Sequence, residues 1–351
     1  MGRVGEVPFD GTVTANNERS TWSLRTEGGV SEPTLCSSMW EAAPRGFIPH
    51  LEHSNVLFIG SAAPRVRATY EVGNSDSFDM RQDGFMGDCT IESIDEPYDP
   101  RVLLEEDYVF TVVEHSTVPI DVGPGAHDYQ TMDALPAFVP ALMYLSEEIA
   151  FLSNPGFSMM LMRRAVRMNL RENRYVYGGS TVTQQLAKNL FFDRKKTLAR
   201  KFEEAIVVWA MEQWVPKERI LELYLNCVEF APDVYGISAA ARHYFDKSPS
   251  ELTPLETAFL AALKPAPARG ERHRRRGHSP DTGWWHERLL VLLTRLVEYG
   301  PYIDQAEVDY YAPYVVGFPT SPNFGEVEVA MVPRPKWVAT ESFTESRARL
   351  D

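Results

Sequence analysis

Two acidic positions stand close to clusters of cations along this chain. Glu147 and Glu148 follow an apolar run, and Glu204 follows Arg200 by four residues. A carboxylate held near an acceptor hydroxyl can take its proton, and cations stabilise an anionic group as it leaves. The cations fall in three groups: Arg163, Arg164, Arg167, Arg171 and Arg174; Arg194 to Lys201; and Arg269 to Arg276. Taken alone, a Glu-Glu pair is ordinary solvation, and an i, i+4 Arg/Glu pair is a surface salt bridge worth about 0.3 to 0.5 kcal/mol. The formal net charge of −14 argues against general affinity for nucleic acid. Focused basic patches on an acidic protein suit a localised anionic ligand better than a long polyanion.

The elements that must position these residues divide by period. Residues 1–128 alternate as short strands do, at Gly11–Ala15, Thr21–Arg25 and Arg65–Val72, with turn signals at Gly28-Gly29, Gly73-Asn74 and Asp83-Gly84. From Ala134 the period becomes helical, over Leu135–Ile149, Met159–Leu170, Thr183–Leu190, Leu198–Trp214, Lys217–Leu225, Ile237–Phe245 and Pro254–Leu263. Thr253-Pro254 with Glu256 forms a capping-box start, and Lys264-Pro265-Ala266-Pro267 ends that helix. The basic stretch to Asp281 reads as an exposed loop, followed by helices over Trp284–Tyr299 and Gln305–Tyr311 and an irregular tail. The expected fold class is therefore α+β, with a β-rich region at 1–128, a mainly α domain at 129–270 and an extension at 271–351. On a helix, Ser180, Gln184 and Lys188 would stack at i, i+4 steps on one face.

The run Gly178–Asn189, GGSTVTQQLAKN, is followed by RKFEE at Arg200–Glu204 and KERILELYLN at Lys217–Asn226. In this order and spacing the three resemble the peptidoglycan glycosyltransferase domain (glycosyltransferase family 51) of class A penicillin-binding proteins and monofunctional transglycosylases. Upstream, Ser146–Gly156 resembles the family's first motif, Glu-Asp-x-x-Phe-x-x-His-x-Gly: Glu147, Phe151 and Gly156 match, while Glu148 replaces the Asp and Asn154 the His. The resemblance implies a lysozyme-like domain that polymerises lipid II into glycan strands, with Glu147 as catalytic base and Glu204 as the second essential carboxylate. It assigns Ser180, Gln184 and Lys188 to the glycan and pyrophosphate, and Arg164, Lys196 and Arg200 to the pyrophosphate. Glu204 would orient the base and cations or help hold a divalent metal, magnesium or manganese; no organic cofactor is implied. The fourth motif reads as architecture bracing the cleft, and His243 as a structural histidine.

The implied partners are lipid II, the growing strand, a membrane surface and other cell-wall synthesis proteins. Met159–Arg174 joins apolar side chains to arginines and reads either as a helix settling on anionic lipid or as an amphipathic helix on the core. No stretch approaches the roughly 20 apolar residues of a membrane span, and the N-terminus lacks a signal-peptide core. Because the reaction takes place on the outer face of the cytoplasmic membrane, the chain is expected to be a piece of a longer product. A Ser-x-x-Lys nucleophile with a downstream Lys-Thr-Gly is missing, so the reading is monofunctional. Cys36 and Cys89 can pair in an oxidising compartment, although sequence does not supply the geometry; Cys227 reads as a small buried hydrophobe. Two other functions fit two carboxylates in such a cleft: glycan cleavage with Glu147 as general acid, and non-catalytic binding of lipid-linked glycan. The row at 164, 188, 196 and 200 argues against the first, and retention of both acids against the second.

Overall fold

The computed structural model describes residues 2–324, apart from 5, 19, 20, 45, 47, 86, 113–119, 194, 196 and 265. The N-terminal strands are β1 (Gly2–Val4), β2 (Val7–Glu18), β3 (Thr21–Val30), β4 (Thr34–Leu35), β5 (Val56–Ile59), β6 (Ser61–Glu71), β7 (Asn74–Phe85) and β8 (Thr90–Ile94), with helix α1 (Cys36–Glu41) after β4. Short ribbons follow, β9 (Phe110–Val112) with β10 (Ile120–Val122), and later β11 (Glu229–Ala231) with β12 (Val234–Tyr235). The helices are α2 (Phe138–Leu145), α3 (Met159–Glu172), α4 (Val182–Phe191), α5 (Leu198–Trp214), α6 (Lys217–Cys227), α7 (Gly236–Phe245), α8 (Pro254–Leu263), α9 (Ala268–Arg276), α10 (Gly283–Glu298) and α11 (Gln305–Tyr310). The chain divides into two units, Met1–Arg101 with Asn154–Trp214, and Val102–Ser153 with Val215–Asp351.

In the first unit an antiparallel sheet runs β1-β2-β3-β6-β4, with β7 also paired to β6. The three alternating segments of the sequence lie in β2, β3 and β6, and Gly73 (φ 90°) makes the turn from β6 to β7. Two expected turns are corrected: Gly28-Gly29 lies within β3 and Asp83-Gly84 within β7. The glycines there serve close approach, since a Cβ on Gly29 would sit 2.2 Å from the Pro64 carbonyl oxygen. Cys36 and Cys89 are joined in a disulfide, with Cα atoms 6.0 Å apart.

Helix α3 lies along β7 and is fastened by arginines at successive i, i+4 positions. Arg163 Nε donates to the Met80 carbonyl (2.5 Å), Arg167 Nε to that of Phe78 (2.8 Å), and Arg171 pairs with Asp76 (2.8 Å). The first two guanidinium groups bond backbone carbonyls of β7, a strand paired on one side only to β6, and the third an acidic side chain at its start. Ala165 is the only buried residue of α3, and Met160 is 75% exposed.

Helix α5 carries two consecutive buried acids, Glu203 and Glu204, whose side chains diverge by about 100° around the axis. Glu203 accepts hydrogen bonds from the backbone N–H groups of His50 (2.5 Å) and Leu51 (2.9 Å), and its other oxygen lies 2.6 Å from His50 Nδ1. A loop of the N-terminal region is thus latched to α5 through a charge that has no contact with water.

In the second unit every residue of α2 is buried, and α6, α8 and α10 pack around it. The expected cap of α8 is present: Thr253 Oγ1 accepts from Glu256 N–H (3.2 Å), and Glu256 accepts from Thr253 N–H (2.8 Å). The stretch expected as a basic loop is instead helical, forming α9. Glu271 pairs with Arg274 one turn on (3.2 Å) and with His243, Gly277 ends the helix in the left-handed region (φ 86°), and His273 packs edge-on to Trp285. Pairing along the helix and one buried ring replace the apolar stripe that the sequence lacks there. Cys227 is buried and free. No helix among the described residues is long and apolar enough to cross a membrane.

Candidate active site

Glu147 sits in the turn that leaves α2. Its N–H and that of Glu148 both donate to the Tyr144 carbonyl (3.0 and 2.7 Å), so the helix tightens as it ends. A carboxylate placed here meets the negative end of the helix dipole and the last unpaired carbonyls. Cations from elsewhere in the same unit answer both: Lys264 Nζ donates to the Met143 carbonyl, Arg295 to that of Leu145, and Arg288 to that of Ser146 (3.1 Å). Lys264 Nζ also lies 3.6 Å from Glu147 Oε1; the lysine side chain is 1% exposed and that of Glu147 19%. Burial pushes the Lys264 amine down to about 8, with the Glu147 charge opposing the shift and Arg288 adding to it. Phe151, the aromatic of the same motif, is fully buried, packing against Tyr144 (5.7 Å) and under Lys217 Nζ (4.6 Å).

The other expected residues belong to the first unit. Gly156 has φ 92°, and a Cβ there would lie 2.7 Å from Val208 and 2.8 Å from Glu212, so the loop lies flat on α5. The Gly156 carbonyl accepts from Thr181 Oγ1 (2.8 Å), which in turn caps α4. Ser180 therefore precedes α4 rather than sharing its face with Gln184 and Lys188, because Thr181 takes the N-cap. The Gln184 side-chain oxygen is engaged in this capping box, accepting from Thr181 N–H (3.0 Å). Thr183 donates to Glu212 (2.5 Å).

Glu204 is fully buried and bound at both oxygens: Arg200 meets Oε1, and Lys201 Nζ meets Oε2 at 2.6 Å. Lys201 Nζ also donates to Ser180 Oγ (3.0 Å), tying the loop before α4 to α5. Burial, with the charges of Arg200 and Lys188 nearby, pushes the Lys201 amine down to about 8. Arg200, expected at the pyrophosphate, is 5% exposed; its Nε donates to the Lys195 carbonyl (2.5 Å), so both faces of the guanidinium hold structure. Arg164 is exposed on α3 and Lys188 half-buried on α4. Lys196 lies outside the described residues.

Glu204, the residue expected to help hold a divalent ion, is engaged by basic side chains in this structure. Both carboxylate oxygens already face cations, and among the described residues no group of three or more His, Cys, Asp or Glu could hold a metal. His243 is structural, paired with Glu271 and set edge-on to Tyr244 at 4.8 Å. The sequence reading missed Lys264, whose signal was a lone lysine closing the apolar run LAAL, and placed Lys201 only at the end of the second basic group.

Comparison with known proteins places these residues in one family. The family model described as Transglycosylase matches residues 118–292. The chain is 41% identical over 151 residues to the biosynthetic peptidoglycan transglycosylase of Acinetobacter baumannii strain SDF, covering 43% of this chain and 67% of that protein. The protein of the same name from Ralstonia nicotianae is 43% identical over 141 residues (40% of this chain, 60% of the relative), and that from Alcanivorax borkumensis 40% over 140 residues (40% and 57%). The aligned stretches span about two thirds or somewhat less of these relatives' lengths. The sequence motifs and these matches agree: the chain belongs to the transglycosylase family.

Proposed function

We propose that this chain polymerises lipid II into β-1,4-linked glycan strands at the outer face of the cytoplasmic membrane, with Glu147 as general base. The observation that carries the reading is the contrast in access between the two motif acids: Glu147 is partly exposed at a helix end, whereas Glu204 is sealed. Glu147 would remove the proton from the acceptor's 4-hydroxyl. The resulting oxygen attacks the anomeric carbon of the donor, the bond to the lipid diphosphate breaks, and the configuration inverts. Arg164, Lys188 and Lys201 would stabilise the departing diphosphate, with Lys196 as a further candidate. Arg200 would act one step back, fixing Glu204 and through it the Lys201 ammonium. The exposed Met160, Met162 and Leu170 on α3 support contact with the lipid surface that holds the donor's tail.

Incubating the full chain with labelled lipid II, beside a Glu147→Gln variant, tests the reading. Strand products from the wild type alone are expected. Shortening of preformed glycan would assign a hydrolase, and binding without turnover a scaffold; either result overturns the proposal.

A further inference from the structure

We infer that Lys264 is a positioning residue for the Glu147 carboxylate, a buried cation that ties the catalytic turn to the end of α2; this rests on the proposed role of Glu147 as base. Three observations carry it. The ammonium reaches both sides of the turn, donating to the Met143 carbonyl within the last helical turn and standing 3.6 Å from Glu147 Oε1 beyond it. Its surroundings give it no bulk water: the side chain is 1% exposed, and Nζ lies 5.3 Å over the Tyr224 ring on α6. A full positive charge is rarely taken out of water without a specific partner. Finally, the carboxylate occupies a place where the helix dipole opposes it, so a fixed cation beneath it offsets that repulsion and limits the directions in which the carboxylate can turn.

The charged and titratable groups facing this site are Glu147 from the turn after α2, Tyr224 from α6, and Arg288 and Arg295 from α10. The arginines keep their charge at any working pH, so the component of the cluster that changes in the mildly alkaline range is the lysine. Desolvation lowers its affinity for a proton to about pH 8. As pH rises through that value the ammonium loses its proton, its attraction for Glu147 ends, and the carboxylate is released from one of its two-sided constraints.

The test measures kcat and KM for labelled lipid II against pH in the wild type, Lys264→Met, Lys264→Arg and Glu147→Gln. Lys264→Met is expected to lose about a hundredfold in kcat, the scale of a misplaced catalytic group, with KM little changed. Lys264→Arg should restore much of the rate and move the alkaline limb upward from about 8, because a guanidinium stays charged. Lys201 titrates in the same range, so Lys201→Arg is the control and should leave the Lys264-dependent part of the limb in place. A Lys264→Met enzyme with wild-type kcat, or a Lys264→Arg enzyme whose limb does not move, would overturn the inference while leaving Glu147 as base. Turnover by Glu147→Gln would instead overturn the underlying reading. If Lys264→Met fails to fold, the arginine variant and its pH profile still decide.

Discussion

Glu147 and Glu204 are both motif acids set among cations, yet their environments are opposite. Glu204 has no exposed surface and a cation on each oxygen, whereas Glu147 keeps about a fifth of its side chain exposed and stands 3.6 Å from a buried ammonium. A carboxylate sealed from solvent and flanked by two cations is poorly placed to meet a substrate hydroxyl, whereas one that is partly exposed beside a buried ammonium can be reached by one. The difference is the one the proposed roles require, Glu204 organising cations and Glu147 acting on the acceptor, and motif matching alone does not make it.

Substitutions can break this comparison. Glu147→Gln preserves shape and removes the proposed base, and general-base removal is expected to cost about 10² to 10⁴ in kcat, with the thermal midpoint near that of the wild type. Equal loss of folding stability would erase the contrast. Glu204→Gln leaves Arg200 and Lys201 beside a neutral amide in a buried site; denaturant unfolding should show a loss of about 3 to 5 kcal/mol, the range for a broken buried pair. A fully stable Glu204→Gln protein that lacked activity would make Glu204 a direct participant.

A smaller effect sharpens the same picture. Thr181→Ala removes the α4 cap and the hydrogen bond to Gly156, and a loss of about 1 kcal/mol, within the range for N-caps, should appear in the melting temperature. If glycan polymerisation fell far more than stability, the cap would be placing Ser180 and Lys188 for the ligand as well as starting the helix.

Local chemistry explains what was legible in the sequence. Helices α5 and α8 begin and end at the residues that periodicity and capping indicate, and the first three motifs point to Glu147, Ser180, Lys188 and Glu204. The misreadings share a cause, since one residue type serves two purposes. Gly28-Gly29 signals a turn locally but permits crowding against Pro64, and the Arg-rich stretch of α9 hides a helix whose partners are distant in sequence. Lys264 was read only as the residue before a helix-ending proline, because the carbonyl and carboxylate it serves lie more than a hundred positions upstream. The family resemblance assigns Arg200 to the pyrophosphate; its burial against Glu204 is a tertiary fact.

The latch between His50, Leu51 and Glu203 bears on how this protein can be dissected. The family match begins at residue 118, which invites trimming to the matched portion for expression. Such a truncation would strip away the three donors that surround Glu203 and leave an interior anion stranded one position from Glu204. Biochemists seeking a minimal enzyme would do better to retain the β-rich region, or to replace Glu203 with a neutral residue before cutting.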